Sequence, residues 1–257
     1  MVRHTRPRGR SGALAAVSLI RFSLVATALV TYLQDGKQHH MPAWRRPDRI
    51  SRLYDRIGDT GWRESDYFTF SFRSLAFRRW IAARLPAKSS NILSVGCGTG
   101  ELERHLSGTR HNVACIDTSQ RMLKRSRDRG LKLLVRADSH NLPFGDGCFG
   151  CVLFVECVGH LHMPTAFKEA WRVLGRGGQL LITTYSGGVT AHASYTKFRL
   201  REIASSLNGA SFRITEHRFL NITRTSVTEV PSDDESTLLY VLSTKQTPGM
   251  SGCDTPA

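Results

Sequence analysis

The chain has 257 residues, 40% of them hydrophobic and 22% charged, which suits one globular domain with appendages and excludes a disordered or collagen-like chain. Its 36 Lys and Arg against 21 Asp and Glu give a formal charge of +15, and residues 1–52 hold about half of that excess, ten Lys/Arg against Asp35 and Asp48. The six cysteines do not read as a disulfide framework, because five fall in or beside apolar runs and a glycine loop, where a reduced thiol behaves as a small hydrophobe.

Residues 1–46 form a basic and apolar arm. Met1 to Arg10 is Arg-rich, and Ser11 to Leu33 is apolar apart from Arg21, a poor membrane span because a central Arg is costly there. Ala26-Thr27-Ala28 offers a cleavage site and no acid precedes Asp35, so a cleaved leader, an organellar transit segment and a membrane anchor through 11–33 all stay open. A start of translation at Met41, leaving the first forty residues outside the natural protein, is the preferred reading.

From Pro47 to Leu85 the apolar residues recur at helical spacing: Ile50, Leu53, Tyr54 and Ile57, then Phe72, Leu75, Ala76, Trp80 and Ile81. Residues 47–90 are accordingly a helical segment, with an aromatic stretch from Trp62 to Phe72 between its two halves. Tyr54, Tyr67, Phe68 and Phe70 either cover a ligand or pack one helix on another. Apolar runs at 91–95, 112–116, 132–136, 150–155 and 179–184 then alternate with helical stretches, the pattern of a doubly wound parallel sheet. A helix over 196–208 and two strands, Phe212 to Leu220 and Leu238 to Ser243, complete a domain over 91–245, and residues 246–257 read as a frayed tail. The expected fold is α/β, a Rossmann-like, mostly parallel seven-stranded sheet with an N-terminal helical extension.

The first strand runs into Gly96-Cys97-Gly98-Thr99-Gly100-Glu101, and glycines there let the backbone turn tightly and a ligand approach the main chain. The spacing is G-x-G-x-G and not the G-x-G-x-x-G of dinucleotide folds. Seventeen residues after Gly100 the second strand ends in Asp117, a carboxylate placed to accept from ribose hydroxyls unless it caps the following helix, a task open also to Thr118 and Ser119. Asp138-Ser139 follows the third strand, and Glu156 and His160 stand at the end of the fourth, where open α/β sheets place their ligands. Cys148-x-x-Cys151 has no second C-x-x-C and no nearby histidine pair, so no metal site is expected.

Over Leu93 to Thr183 the chain resembles the class I S-adenosylmethionine-dependent methyltransferases, most of all the small-molecule branch that includes quinone-biosynthesis enzymes. The resemblance implies S-adenosyl-L-methionine as cofactor. It places Gly96, Cys97, Gly98 and Gly100 against the methionine portion with backbone donors for its carboxylate, Asp117 on the ribose, and Asp138 and the Ser139 backbone on the adenine. Glu156 and His160 become the candidate catalytic residues. Three positions depart from the pattern: Ser94 stands where the family carries an acid, Gly150 where it carries Asp, and Arg176 replaces Pro before Gly177-Gly178. Motifs of amino methyltransferases, of cytosine-C5 enzymes and of metal-dependent catechol enzymes are not recognisable. The reading is a cytoplasmic methyltransferase for a small organic acceptor. Its alternatives are an RNA methyltransferase, suggested by net charge and by the run Arg121, Lys124, Arg125, Arg127, Arg129, and a non-catalytic or membrane-tethered relative.

Overall fold

The computed structural model describes residues 47–60, 74–88, 90–186, 195–223 and 225–246, so the arm, its apolar run 11–33, Met41, the aromatic stretch with Tyr67, Phe68 and Phe70, and the tail lie outside the described residues. The elements below belong to one compact unit, 39–142 with 146–257. In chain order they are α1 (Pro47–Thr60), α2 (Leu75–Ala82), β1 (Asn91–Val95), α3 (Glu101–Leu106), β2 (Asn112–Asp117), α4 (Gln120–Asp128), β3 (Leu134–Arg136), β4 (Phe149–Val155), a 3-10 turn (Val158–His160), α5 (Met163–Val173), β5 (Leu174–Tyr185), α6 (Leu200–Gly209), β6 (Phe212–Ile222), β7 (Val227–Val230) and β8 (Leu238–Lys245).

The sheet has the order β3-β2-β1-β4-β5-β8-β6-β7. The first five strands are parallel, and β8, β6 and β7 join antiparallel. The chain winds outward from β1 to β3 and then returns to place β4 on the other side of β1, so the reversal point lies between β1 and β4.

Among the described residues the sheet has eight strands where seven are expected. The extra one, β7, is the four-residue segment Val-Thr-Glu-Val, which carries no core run of its own and exists by pairing with the outer end of β6, from Phe219↔Val230 to Ile222↔Val227. A strand this short at a sheet edge has the local pattern of a loop. The third strand is also shorter than its apolar run, covering 134–136 only.

Both faces of the parallel sheet are covered, which is why its strands read as unbroken apolar runs. Ile92, Cys115, Leu153 and Leu181 pack with Phe77, Ile81 and Leu85 of the α2 region, and Trp80 meets Tyr240 of β8 edge-on at 4.8 Å. Phe154 of β4 meets Phe167 of α5 edge-on at 5.8 Å, both fully buried, each burial contributing about 1.5–3 kcal/mol. Arg176-Gly177-Gly178 supplies the expected turn inside β5: the register jumps from Phe149↔Leu174 to Cys151↔Gln179, and Gly177 takes φ +67°. Cys151 lies in this core, its thiol pushed up to about 12 by burial. Among the described residues no three His, Cys, Asp or Glu side chains gather to hold a metal, and no helix is long and apolar enough to cross a membrane.

The N-terminal helix α1 is fastened to the domain by polar contacts. Ser119 caps α4, its Oγ accepting from Met122 N at 3.1 Å while donating to Asp55 Oδ1 at 2.6 Å. Asp55 Oδ1 also accepts from Arg121 N at 3.1 Å, so an acid of α1 completes the N-terminus of α4. Ser51 Oγ donates to Thr118 O, and Arg125 Nε donates to Gly58 O.

Candidate functional site

The carboxyl ends of β1, β2, β3 and β4 bring the expected residues to one edge of the sheet. Gly96, Gly98 and Gly100 all take positive φ, +67°, +55° and +75°, a run that residues with a Cβ rarely sustain. A Cβ on Gly98 would meet no atom of the described residues within 4 Å, so among them this main chain is open to close approach.

The loop carries hydrogen bonds of its own. Gly96 N and Cys97 N both donate to Ile116 O at 2.8 and 3.1 Å, Gly98 N donates to Asp117 Oδ2 at 2.9 Å, and Gly100 N donates to Cys97 O at 3.0 Å. Each of these four N–H groups thus has a partner within the protein, which holds a loop with three positive φ angles in place.

Asp117 is the buttress of that loop. Its Oδ2 takes Gly98 N, its Oδ1 takes Ser119 N at 2.8 Å, and Ser119, not Asp117, is the side-chain cap of α4. Each oxygen keeps a second lone pair for a ligand hydroxyl. Burial pushes the carboxyl up to about 6 against the opposing pull of the Ser119 and Gly98 N–H groups.

Asp138 follows β3 beside Asp117, where Ala137 N donates to Asp117 O. Its Oδ1 accepts from His140 N at 3.0 Å and from His140 Nδ1, a tight turn closed by its own side chain. His140 Nε2 in turn accepts from His162 N at 2.9 Å, so Nδ1 carries the proton and donates the hydrogen bond to Asp138. Burial raises the Asp138 carboxyl, but the hydrogen bonds it accepts from the His140 ring and backbone outweigh it and hold the group below the ordinary range. Ser139 beside it is buried. His140 was not singled out from sequence, although Asp-x-His before a turn was the available signal.

Glu156 and His160 come together at the end of β4 through a chain of rings. Glu156 has φ +55°, a strained conformation for a residue with a side chain, costing on the order of 1–3 kcal/mol and typical of functional sites. Tyr185 Oη donates to Glu156 Oε2 at 2.7 Å, and burial first, then the Glu156 charge, holds the phenol well above its ordinary value. Tyr185 packs edge-on to Tyr195 with centroids 4.9 Å apart, Tyr195 to His160 at 4.9 Å, and His160 to Tyr54 at 5.4 Å. Tyr54 of α1 also shares a 2.7 Å hydrogen bond with His160 Nε2. Neither Tyr185 nor Tyr195 stood out in the sequence. Tyr195 fits only because residue 159 is glycine: a Cβ there would lie 2.3 Å from the Tyr195 ring. Gly159→Ala is therefore expected to displace Tyr195 and cost about 1–3 kcal/mol of stability, read as a lower urea midpoint at an unchanged m-value.

Ser94 is buried in β1, and its hydroxyl donates to Glu103 Oε1 of α3 at 2.6 Å. The acid absent at 94 is thus replaced in space by one from the following helix. An open glycine loop, a carboxylate at the end of β2 and another after β3 fit a nucleoside bearing an amino-acid tail.

Comparison with known proteins agrees. Residues 93–182 match the family described as a methyltransferase domain. The ubiquinone/menaquinone biosynthesis C-methyltransferase UbiE of Pseudomonas fluorescens is 34% identical over 158 residues, 57% of this chain and 62% of that protein. The demethylmenaquinone methyltransferase of Tropheryma whipplei is 29% identical over 166 residues, 62% of this chain and 66% of its own length. The chain thus spans somewhat less than two thirds of these relatives. A Thermotoga maritima structure described as a SAM-dependent methyltransferase, possible histamine N-methyltransferase, superposes with a TM-score of 0.62 at 19% identity, covering 77% of this chain and all of that one, a likeness of fold. By motif and by this match, residues 93–182 form a methyltransferase domain, and the fold around them is that of S-adenosylmethionine-dependent methyltransferases.

Proposed function

We propose that this protein transfers a methyl group from S-adenosyl-L-methionine to a small organic acceptor, acting in the cytoplasm, where that cofactor is supplied. The observation that carries the reading is the meeting, on one sheet edge at the β1/β4 reversal, of the loop buttressed by Asp117 and the ring chain from Glu156 to Tyr54. Gly96, Cys97, Gly98 and Gly100 would shape the methionine side, Asp117 would hold the ribose, and Asp138 with the Ser139 backbone the adenine.

Bound there, the cofactor would supply a sulfonium methyl group, which needs no covalent nucleophile from the protein. The protein's part is to align the acceptor, exclude water and take a proton where the acceptor carries one. His160 Nε2, in hydrogen-bond contact with the Tyr54 hydroxyl, is the proton acceptor in this reading, and Glu156, held by Tyr185, orients the acceptor. Relatives named for quinone biosynthesis support a hydroxylated or acidic-carbon ring as the acceptor class. The basic run on α4 is partly spent within the protein, Arg121 on Asp59, Lys124 on Asp128, Arg125 on Gly58 O and Arg129 on Glu101, which argues against a nucleic-acid face.

The test is transfer of a labelled methyl group to a panel of reduced quinones and phenols. His160→Ala and Glu156→Gln are expected to lower turnover at least 100-fold while S-adenosylhomocysteine affinity stays within 3-fold. No labelled product from any acceptor, by a chain that binds the cofactor, would return the protein to a binding role.

A further inference from the structure

The first turn of α3 carries two acids with opposite surroundings. Glu101 is matched by cations on both oxygens, Arg78 at 3.0 Å and Arg129 at 2.7 Å. Glu103, two residues on, is 3% exposed and forms no ion pair among the described residues. It is held by the Ser94 hydroxyl, itself 1% exposed, at 2.6 Å. Asp117 of β2 and Glu101 on its own helix oppose its charge, and the thiols it faces, Cys97 of the glycine loop and Cys157 after β4, supply no counter-charge. A carboxyl so buried is seldom left without a cation. Burial pushes this one up to about 7, with Asp117 and Glu101 adding to the rise against the Ser94 hydrogen bond.

Behind the loop that the proposed function gives to the methionine portion, this is a charge awaiting its partner. We propose that Glu103 binds the α-ammonium of the cofactor's methionyl group, and that Ser94 is the positioning residue that aims it. The acid is delivered from the helix, across a hydroxyl, instead of from the strand. Binding converts Glu103 fully to the carboxylate, so near neutral pH ligand uptake is accompanied by proton release.

The inference rests on the proposed cofactor site, and the experiment separates the two. The full chain is titrated calorimetrically at pH 7 with S-adenosylmethionine, S-adenosylhomocysteine and 5′-methylthioadenosine, which lacks the amino acid, in two buffers of different ionisation enthalpy. Glu103→Gln is expected to weaken the first two ligands alike, 10- to 100-fold, to leave methylthioadenosine within 3-fold, and to abolish the proton release. Ser94→Asp combined with Glu103→Gln returns the acid to the strand and is expected to restore most of the lost affinity. Thermal melts of each variant exclude unfolding as the cause. Unchanged affinity of Glu103→Gln for the homocysteine form overturns the role of Glu103, as does a loss confined to S-adenosylmethionine, which would make the sulfonium the partner. Failure of the native chain to bind any of the three would instead remove the cofactor site itself.

Discussion

Asp117→Ala is expected to bind S-adenosylhomocysteine at least 100-fold more weakly than the native chain, the largest loss foreseen for any single side chain. The carboxylate accepts from Gly98 N and from Ser119 N, so its removal frees the glycine loop and the entry to α4 at once. Hydrogen bonds to a charged group contribute about 1.5–3 kcal/mol each, and a 100-fold change is about 2.7 kcal/mol, so loss of one ribose contact plus a loosened loop suffices. Asp117→Asn keeps one acceptor oxygen and should lose less. An alanine variant that binds within 3-fold of native would show that the ribose lies elsewhere.

The second large effect is on stability. Glu103 is raised from an ordinary carboxyl value to about 7 and Asp117 to about 6, both first by burial, so the folded chain binds these protons more tightly than the unfolded chain. The stabilisation they confer is complete below the unfolded value and is lost as pH rises through the folded one, that is from about pH 4.5 to 7 for Glu103. At about 1.4 kcal/mol per pH unit, the ligand-free protein should lose about 3 kcal/mol across that window on account of Glu103 alone. Urea unfolding at pH 5, 6, 7 and 8 measures it. Glu103→Gln keeps the oxygen that accepts from Ser94 and carries no charge, so it should flatten the profile and exceed the native chain in stability at pH 8. Parallel profiles for the two proteins would contradict the burial argument.

The pattern of success in reading the sequence has a physical basis. Gly96, Gly98, Gly100 and Asp117 were legible because a backbone geometry demands particular residues within a short, contiguous stretch, and the three glycines do carry the positive φ angles expected of them. The alternation of apolar runs and helices was legible because a sheet covered on both faces needs unbroken hydrophobic strands. What escaped was assembled at a distance. Tyr54 and His160 are 106 residues apart, Asp55 and Ser119 are 64 apart, and Tyr185 becomes informative only once the fold sets it on Glu156. Glu103 was read past because an acid in the first turn of a helix is ordinary, and only the folded chain places it on the hydroxyl of Ser94. The strand β7 escaped because its partner, and not its own composition, makes it a strand.

Neighbouring residues of α1 serve two different places. Tyr54 reaches His160 beyond β4, while Asp55 holds the Ser119 cap directly after the Asp117 buttress. A helix turn is a stiff object, so a ligand that shifts the α4 cap must also shift the Tyr54 hydroxyl. In the proposed site, cofactor and acceptor affinities are therefore expected to be reciprocal: whatever affinity the first ligand lends the second through α1, the second lends back to the first.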